Sequence, residues 1–133
     1  MSPKKELPAL TESQLEIMNV IWEHGEGTVA SVWQLLREKR GLARNTVQTT
    51  LVRLEEKGYL RHRENKNAFV YQPTCKRETV QGGMVRNLID TAFEGSVSGL
   101  VMTLLNKERP SPEELERIQQ MLDEHRRKQR KNK

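Results

Sequence analysis

Between Arg44 and Lys57 the chain reads RNTVQTTLVRLEEK, where short amide and hydroxyl side chains alternate with apolar residues at Val47, Leu51 and Leu54. That spacing predicts a helix whose apolar residues share one side. At helical pitch Asn45, Thr49, Val52 and Glu56 fall within about 40° of the direction opposite Val47, and Thr46, Gln48 and Arg53 flank them. These side-chain types suit the edges of base pairs in a major groove. Asn and Gln match the paired donor and acceptor of adenine, a Thr methyl or Val52 fits the thymine methyl, and Arg53 can fork onto guanine or clamp a phosphate. The candidate base-contacting set is therefore Asn45, Thr46, Gln48, Thr49 and Arg53. Glu56 would repel phosphate, so it either accepts from cytosine N4 or lies beyond the groove. A polar helix face is also what an ordinary solvated helix shows, so the neighbouring charge has to decide between the two.

The formal net charge is +5, and it is unevenly spread. Residues 37–66 carry +5 and residues 125–133 carry +6, leaving −6 on the remainder. Concentrated basic patches on an otherwise acidic chain are the footprint expected for a polyanion, because each base set on a phosphate releases a condensed counterion. Thr28, Arg44, Lys57, Arg61, Arg63 and Lys66 form the candidate backbone-contacting set. The terminal run HRRKQRKNK also fits a merely solvated tail.

Other chemistries lack their residues. His24, His62 and His125 are scattered with no ligand-spaced partner, so no metal is expected. No nucleophile-base pair, carboxylate pair or phosphate-cradling glycine loop is legible, which argues against an enzyme and against a cofactor. Cys75 is the single cysteine, expected as an inert, half-buried thiol. The longest uncharged stretch, Gly95 to Asn106, is 12 residues, too short to span a bilayer. No apolar signal segment opens the chain, and with the lone cysteine this points to the cytoplasm.

The elements that must position these residues follow from caps and periodicity. Thr11 with Gln14 is a capping box, and Leu15, Met18, Ile21 and Trp22 line a first helix ending at Gly25. Thr28 caps a second, with Val29, Val32, Trp33 and Leu36 on one side, ending near Gly41. The third runs over 44–57 and stops at Gly58. Two β-prone runs, 59–63 and 68–72, then form a hairpin around Glu64 to Asn67, ended by Pro73. A helix from Lys76 to about Phe93 contains Gly82 and Gly83, which invite a bend or a close crossing. An apolar helix follows Gly95, and Ser111-Pro112-Glu113-Glu114 opens the last.

Three helices and a basic hairpin within about 60 residues is the order of a winged helix-turn-helix. The fold class expected is mainly α with a small β-wing, followed by a helical region. The stretches LTESQLEIMNVIWEHGEGTVASVWQLL and ARNTVQTTLVRLEEKGYLRHRENKNAFVYQP resemble the DNA-binding half of the penicillinase-repressor (BlaI/MecI-type) family, and SGLVMTLLNKERPSPEELERIQQML resembles its dimerisation helices. The resemblance implies a homodimer with intertwined C-terminal helices that binds a two-fold symmetric operator and represses transcription. In β-lactam-responsive members, signalling by a membrane-bound sensor protease leads to cleavage at an Asn-Phe bond. Here Met102-Thr103-Leu104-Leu105 stands in that place and no Asn-Phe pair occurs. The C-terminal cysteine cluster of the copper-responsive relatives is also missing.

The chain is accordingly read as a winged-helix DNA-binding domain over 1–74, a helical dimerisation region over 75–125 and a basic, unstructured tail over 126–133. The dimer contact is expected from Leu88, Val97, Leu100, Val101, Leu104, Leu105, Leu115, Ile118 and Leu122. Partners expected are double-stranded operator DNA and a second copy of the chain, with a sensor protease as a further candidate and no membrane. The rival readings are a winged-helix protein-interaction module and a small-molecule-responsive regulator.

Overall fold

The computed structural model describes residues 7–132; residues 1–6 of the expected first domain and Lys133 of the expected tail lie outside it. Helices α1 (Glu12–His24), α2 (Val29–Arg40) and α3 (Arg44–Glu56) precede strands β1 (Leu60–Asn65) and β2 (Ala68–Pro73). Helices α4 (Arg77–Ala92), α5 (Val97–Glu108) and α6 (Pro112–Lys131) complete the chain.

Local chemistry accounts for the boundaries. Thr11 and Thr28 each accept from the backbone of the third helical residue, Gln14 or Ser31, whose side chain bonds back to the cap. These two capping boxes satisfy donors the first turn would leave unpaired. Gly25 and Gly41 end α1 and α2 in the left-handed conformation. The strands pair antiparallel from Leu60 with Pro73 to Asn65 with Ala68. Lys66 and Asn67, both at positive φ, make a two-residue turn whose twist matches the strands.

The chain divides into two compact units between Val85 and Arg86, within α4, rather than at the 74/75 break expected. The start of α4 belongs to the first unit. Val80 packs against the core, the Trp22 indole donates to the Cys75 carbonyl at 2.9 Å, and Arg77 donates to the Asn19 carbonyl.

In the first unit Ile17, Met18, Ile21, Val32, Val47, Leu51 and Leu54 are fully buried, joined by Leu36, Tyr59, Leu60 and Tyr71. Within α1 the inward line therefore passes through Ile17; Leu15 and Trp22 are half-buried. The run LEIMNVIW is apolar on several sides, so its own periodicity does not select the phase. Gly27 sits where the α1–α2 loop meets the wing, exchanging backbone hydrogen bonds of 2.9 and 2.8 Å with Tyr71.

In the second unit Ile89 is the one buried hydrophobic among the described residues. Ser96 and Ser111 cap α5 and α6, the latter with proline in the first turn. Helix α4 runs unbroken through Gly82 and Gly83, and nothing lies within 4 Å of where a Cβ would stand at either. The expected bend or close crossing is thus replaced by a regular helix, its own hydrogen bonds holding both glycines. Helix α6 continues through Lys131, so most of the segment expected as an unstructured tail is helical. Arg, Lys and Gln are good helix formers, and cations favour a helix C-terminus. No single helix among the described residues is long and apolar enough to cross a membrane.

A Cβ added at Gly27 would stand 2.9 Å from Ile21 Cδ1 and 3.0 Å from Val32 Cγ2, both in the packed core. Gly27→Ala is expected to lower unfolding stability by about 1–3 kcal/mol through overpacking, read as a shifted denaturant midpoint with an unchanged slope.

Candidate nucleic-acid interface

Helix α3 is oriented by its buried line, Val47, Leu51 and Leu54, as its spacing predicts. Asn45, Thr46, Gln48, Thr49 and Arg53 are all exposed, as are Val52 and Glu56. The structure thus brings the candidate base-contacting residues onto the accessible side of one helix. Thr50 is half-buried and spends its hydroxyl on the Thr46 carbonyl at 2.7 Å, which removes it from that surface. Arg53 makes no ion pair among the described residues.

The candidate backbone-contacting residues divide into two groups. Arg44, Arg61 and Lys66 are exposed and make no ion pair among the described residues. Thr28 is half-buried at the start of α2, its hydroxyl oxygen accepting from Ser31 N at 3.1 Å. The other two are engaged internally. Lys57 Nζ donates to the Ala9 carbonyl at 2.8 Å and to Gln14 Oε1 at 2.7 Å, tying the end of α3 to the start of α1. Arg63 donates to Glu26 through both terminal nitrogens, at 3.1 and 3.3 Å, and Gln72 Nε2 reaches the same carboxylate.

A second tie links the wing to α3. His62 Nδ1 lies 2.7 and 2.8 Å from the two Glu55 carboxylate oxygens, and its ring stacks on Phe69 with centroids 4.2 Å apart. The cross-strand register explains both ties, since alternate residues share a face. His62, Phe69 and Tyr71 lie on one side of the hairpin, Arg61, Arg63 and Gln72 on the other. Sequence reasoning missed Glu26 and Glu55 as wing anchors; the only signal was acidic residues beside a basic hairpin.

Burial pushes the Tyr59 and Tyr71 phenols and the Cys75 thiol above their ordinary values. A thiol raised in this way is a poor nucleophile. Among the described residues no cluster of three or more His, Cys, Asp or Glu side chains is placed to hold a metal.

A three-helix unit with a two-stranded wing, presenting a polar third helix beside Arg and Lys side chains without ion-pair partners, defines the winged helix-turn-helix class, a fold used by DNA-binding proteins. Comparison with known proteins agrees. A model of the penicillinase repressor family matches residues 10–124. The penicillinase repressor of Bacillus licheniformis is 29% identical over 121 residues, covering 91% of this chain and 94% of that one. The methicillin resistance regulatory protein MecI of Staphylococcus aureus is 21% identical over 114 residues, covering 86% and 93%. The solution structure of the DNA-binding domain of the repressor BlaI superposes with a TM-score of 0.50 at 34% identity, over 55% of this chain and 89% of that one. The chain belongs to the penicillinase repressor family, which consists of transcriptional repressors rather than enzymes.

The Glu26 carboxyl is held below its ordinary range, chiefly by the hydrogen bond from Arg63. A depressed carboxyl supports the folded wing above its unfolded pKa and loses that support as pH falls through the folded value. The tie is therefore intact at neutral pH and withdrawn in acid. A carbon-13 NMR titration should find the Glu26 midpoint below that of an ordinary glutamate, and Arg63→Gln should return it to the ordinary range. An unchanged midpoint in that variant would show that Arg63 is not the cause.

Proposed function

We propose that the protein represses transcription as a homodimer on a two-fold symmetric operator, with α3 of each copy in the major groove and the hairpin on the flanking backbone. The observation that carries this reading is the segregation of α3: Val47, Leu51 and Leu54 are buried, while Asn45, Thr46, Gln48, Thr49 and Arg53 all face out. Arg44, Arg61, Lys66 and the Thr28 hydroxyl are the backbone contacts. Arg63 joins them by exchanging Glu26 for phosphate, whereas Lys57 keeps its two internal acceptors and acts by positioning α3.

The dimer rests on apolar surface left open in the single chain. Leu88, Val97, Val101, Leu104, Leu105, Leu115 and Leu122 are each between 40% and 56% exposed, with Leu100 and Ile118 half-buried beside them. Covering such side chains fully contributes roughly 1.5–3 kcal/mol each before ordering costs. Cleavage by a sensor protease, if it serves for release, acts on α5 at a bond other than Asn-Phe, and Thr103–Leu104 stands at the corresponding place.

Two variants test the reading. In anisotropy titrations against a selected duplex and its single-base variants, Arg53→Ala should cost about 1–3 kcal/mol and relax preference at one position. A uniform loss across all sequences would assign Arg53 to the backbone instead, and no binding of the parent protein to any duplex at low salt would overturn the function. Leu104→Asp should shift the sedimentation mass toward the monomer and weaken operator binding. A dimeric mass with undiminished affinity would refute the part given to α5.

A further inference from the structure

We infer that the last turns of α6 form a second, sequence-independent contact to duplex DNA, separate from the winged-helix face and resting on the DNA-binding reading above. The family match ends at residue 124, yet α6 continues to Lys131. Residues 125–133 carry six Lys or Arg, no acid and no apolar side chain. Every described residue of this segment is exposed. Arg127 pairs with Glu124, while Arg126, Lys128, Arg130 and Lys131 make no ion pair among the described residues.

The bases are not spread evenly around the helix. Taking Arg126 as the reference, Arg130, Arg127 and Lys131 follow at about 40°, 100° and 140°, with Lys128 at about 200°. Leu115, Ile118 and Leu122 fall at about 280–340°, and His125 and Gln129 continue that side at about 260–300°. The Gln129 amide and the His125 ring lie 3.4 Å apart along it. The apolar stripe thus gives way to His125 and Gln129, and the Lys and Arg side chains keep to another arc. A second copy seated on the stripe leaves this basic arc open to solvent.

The chemistry favours a phosphate backbone as the occupant. No apolar residue interleaves the bases, so this segment has nothing to insert into a bilayer surface. Within residues 125–132 Lys and Arg stand on this arc without Asn, Gln or Thr, and can hold phosphates but cannot distinguish base pairs in the way proposed for α3. Compensation of the helix dipole concerns the final turn, which holds Lys128, Arg130 and Lys131, and leaves Arg126 and Arg127 in the turn before it without that role.

The test replaces Arg126, Arg127, Lys128, Arg130 and Lys131 together by Gln, which retains helix propensity; circular dichroism and sedimentation confirm fold and mass. Parent and variant are titrated with a selected operator duplex and a shuffled duplex across a salt series. Each lost phosphate contact flattens the dependence of log affinity on log salt by about 0.9. The expected result is a slope flatter by roughly two or more, with operator and shuffled affinities falling by the same factor and their ratio unchanged. An unchanged slope, or a loss confined to the operator, overturns this inference while leaving the winged-helix reading in place. Failure of the parent to bind either duplex overturns both. Flotation with phosphatidylglycerol vesicles completes the set: vesicle binding abolished in the variant alongside an unchanged DNA slope would assign the segment to a membrane and overturn the DNA contact.

Discussion

The packing of three side chains on one line of α3, Val47, Leu51 and Leu54, controls what the first unit can present. All three are fully buried in a cluster with Ile17, Met18, Ile21 and Val32. A helix gripped along one line has a single rotational setting, so the position of every residue on its opposite side is determined. Burial of each such side chain is worth about 1.5–3 kcal/mol, far more than any polar residue on the exposed side contributes to folding. Stability is thereby confined to one face of the helix, and in the proposed complex recognition falls to the other. The exposed face is free to vary in sequence with little effect on the fold, because surface substitutions away from caps and ion pairs usually change stability by only about 0.5 kcal/mol.

The wing is held by a different kind of interaction along its length. At its root Leu60, Val70 and Tyr71 are buried, and Gly27 adds two backbone hydrogen bonds to Tyr71. Level with these buried residues the side-chain ties are polar and open to solvent, from Glu26 to Arg63 and Gln72 and from Glu55 to His62. Exposed ion pairs are worth at most about 1 kcal/mol and weaken with salt. A phosphate can therefore compete for Arg63 without disturbing the root. The hairpin is rigid where it meets the core and adjustable where, in the proposed complex, it meets DNA.

How much of this was legible in the sequence follows from the range of each interaction. Caps at Thr11, Thr28 and Ser111, the stops at Gly25 and Gly41, the hairpin and the inward line of α3 are all set by residues within a few positions of one another, and all were readable. The position of Ile17 was not, because a run apolar on several sides has no preferred phase until other helices supply one. Nor were the partners of Lys57 and Arg63, which lie 43 and 37 residues away in the chain. A basic side chain reads the same in sequence whether it faces solvent or a distant carboxylate. The terminal run was misjudged for a related reason: its charge suggests a solvated coil, but its residue types favour continuing a helix already begun.

The second unit raises a separate question of stability. With Ile89 its one buried hydrophobic among the described residues and the apolar residues of α5 and α6 largely exposed, it lacks the core that would hold three helices together in water. In the proposed dimer the missing core is supplied by the second copy, so assembly and folding of this unit become one equilibrium that depends on protein concentration. Two winged helices joined through it engage an operator with an effective concentration that neither has alone. A signal that opens α5 or displaces its partner would then release DNA while every contact made by α3 stays intact. In the proposed dimer the control point would thus lie in the unit with the weakest packing, where a small change in free energy has the largest effect on occupancy.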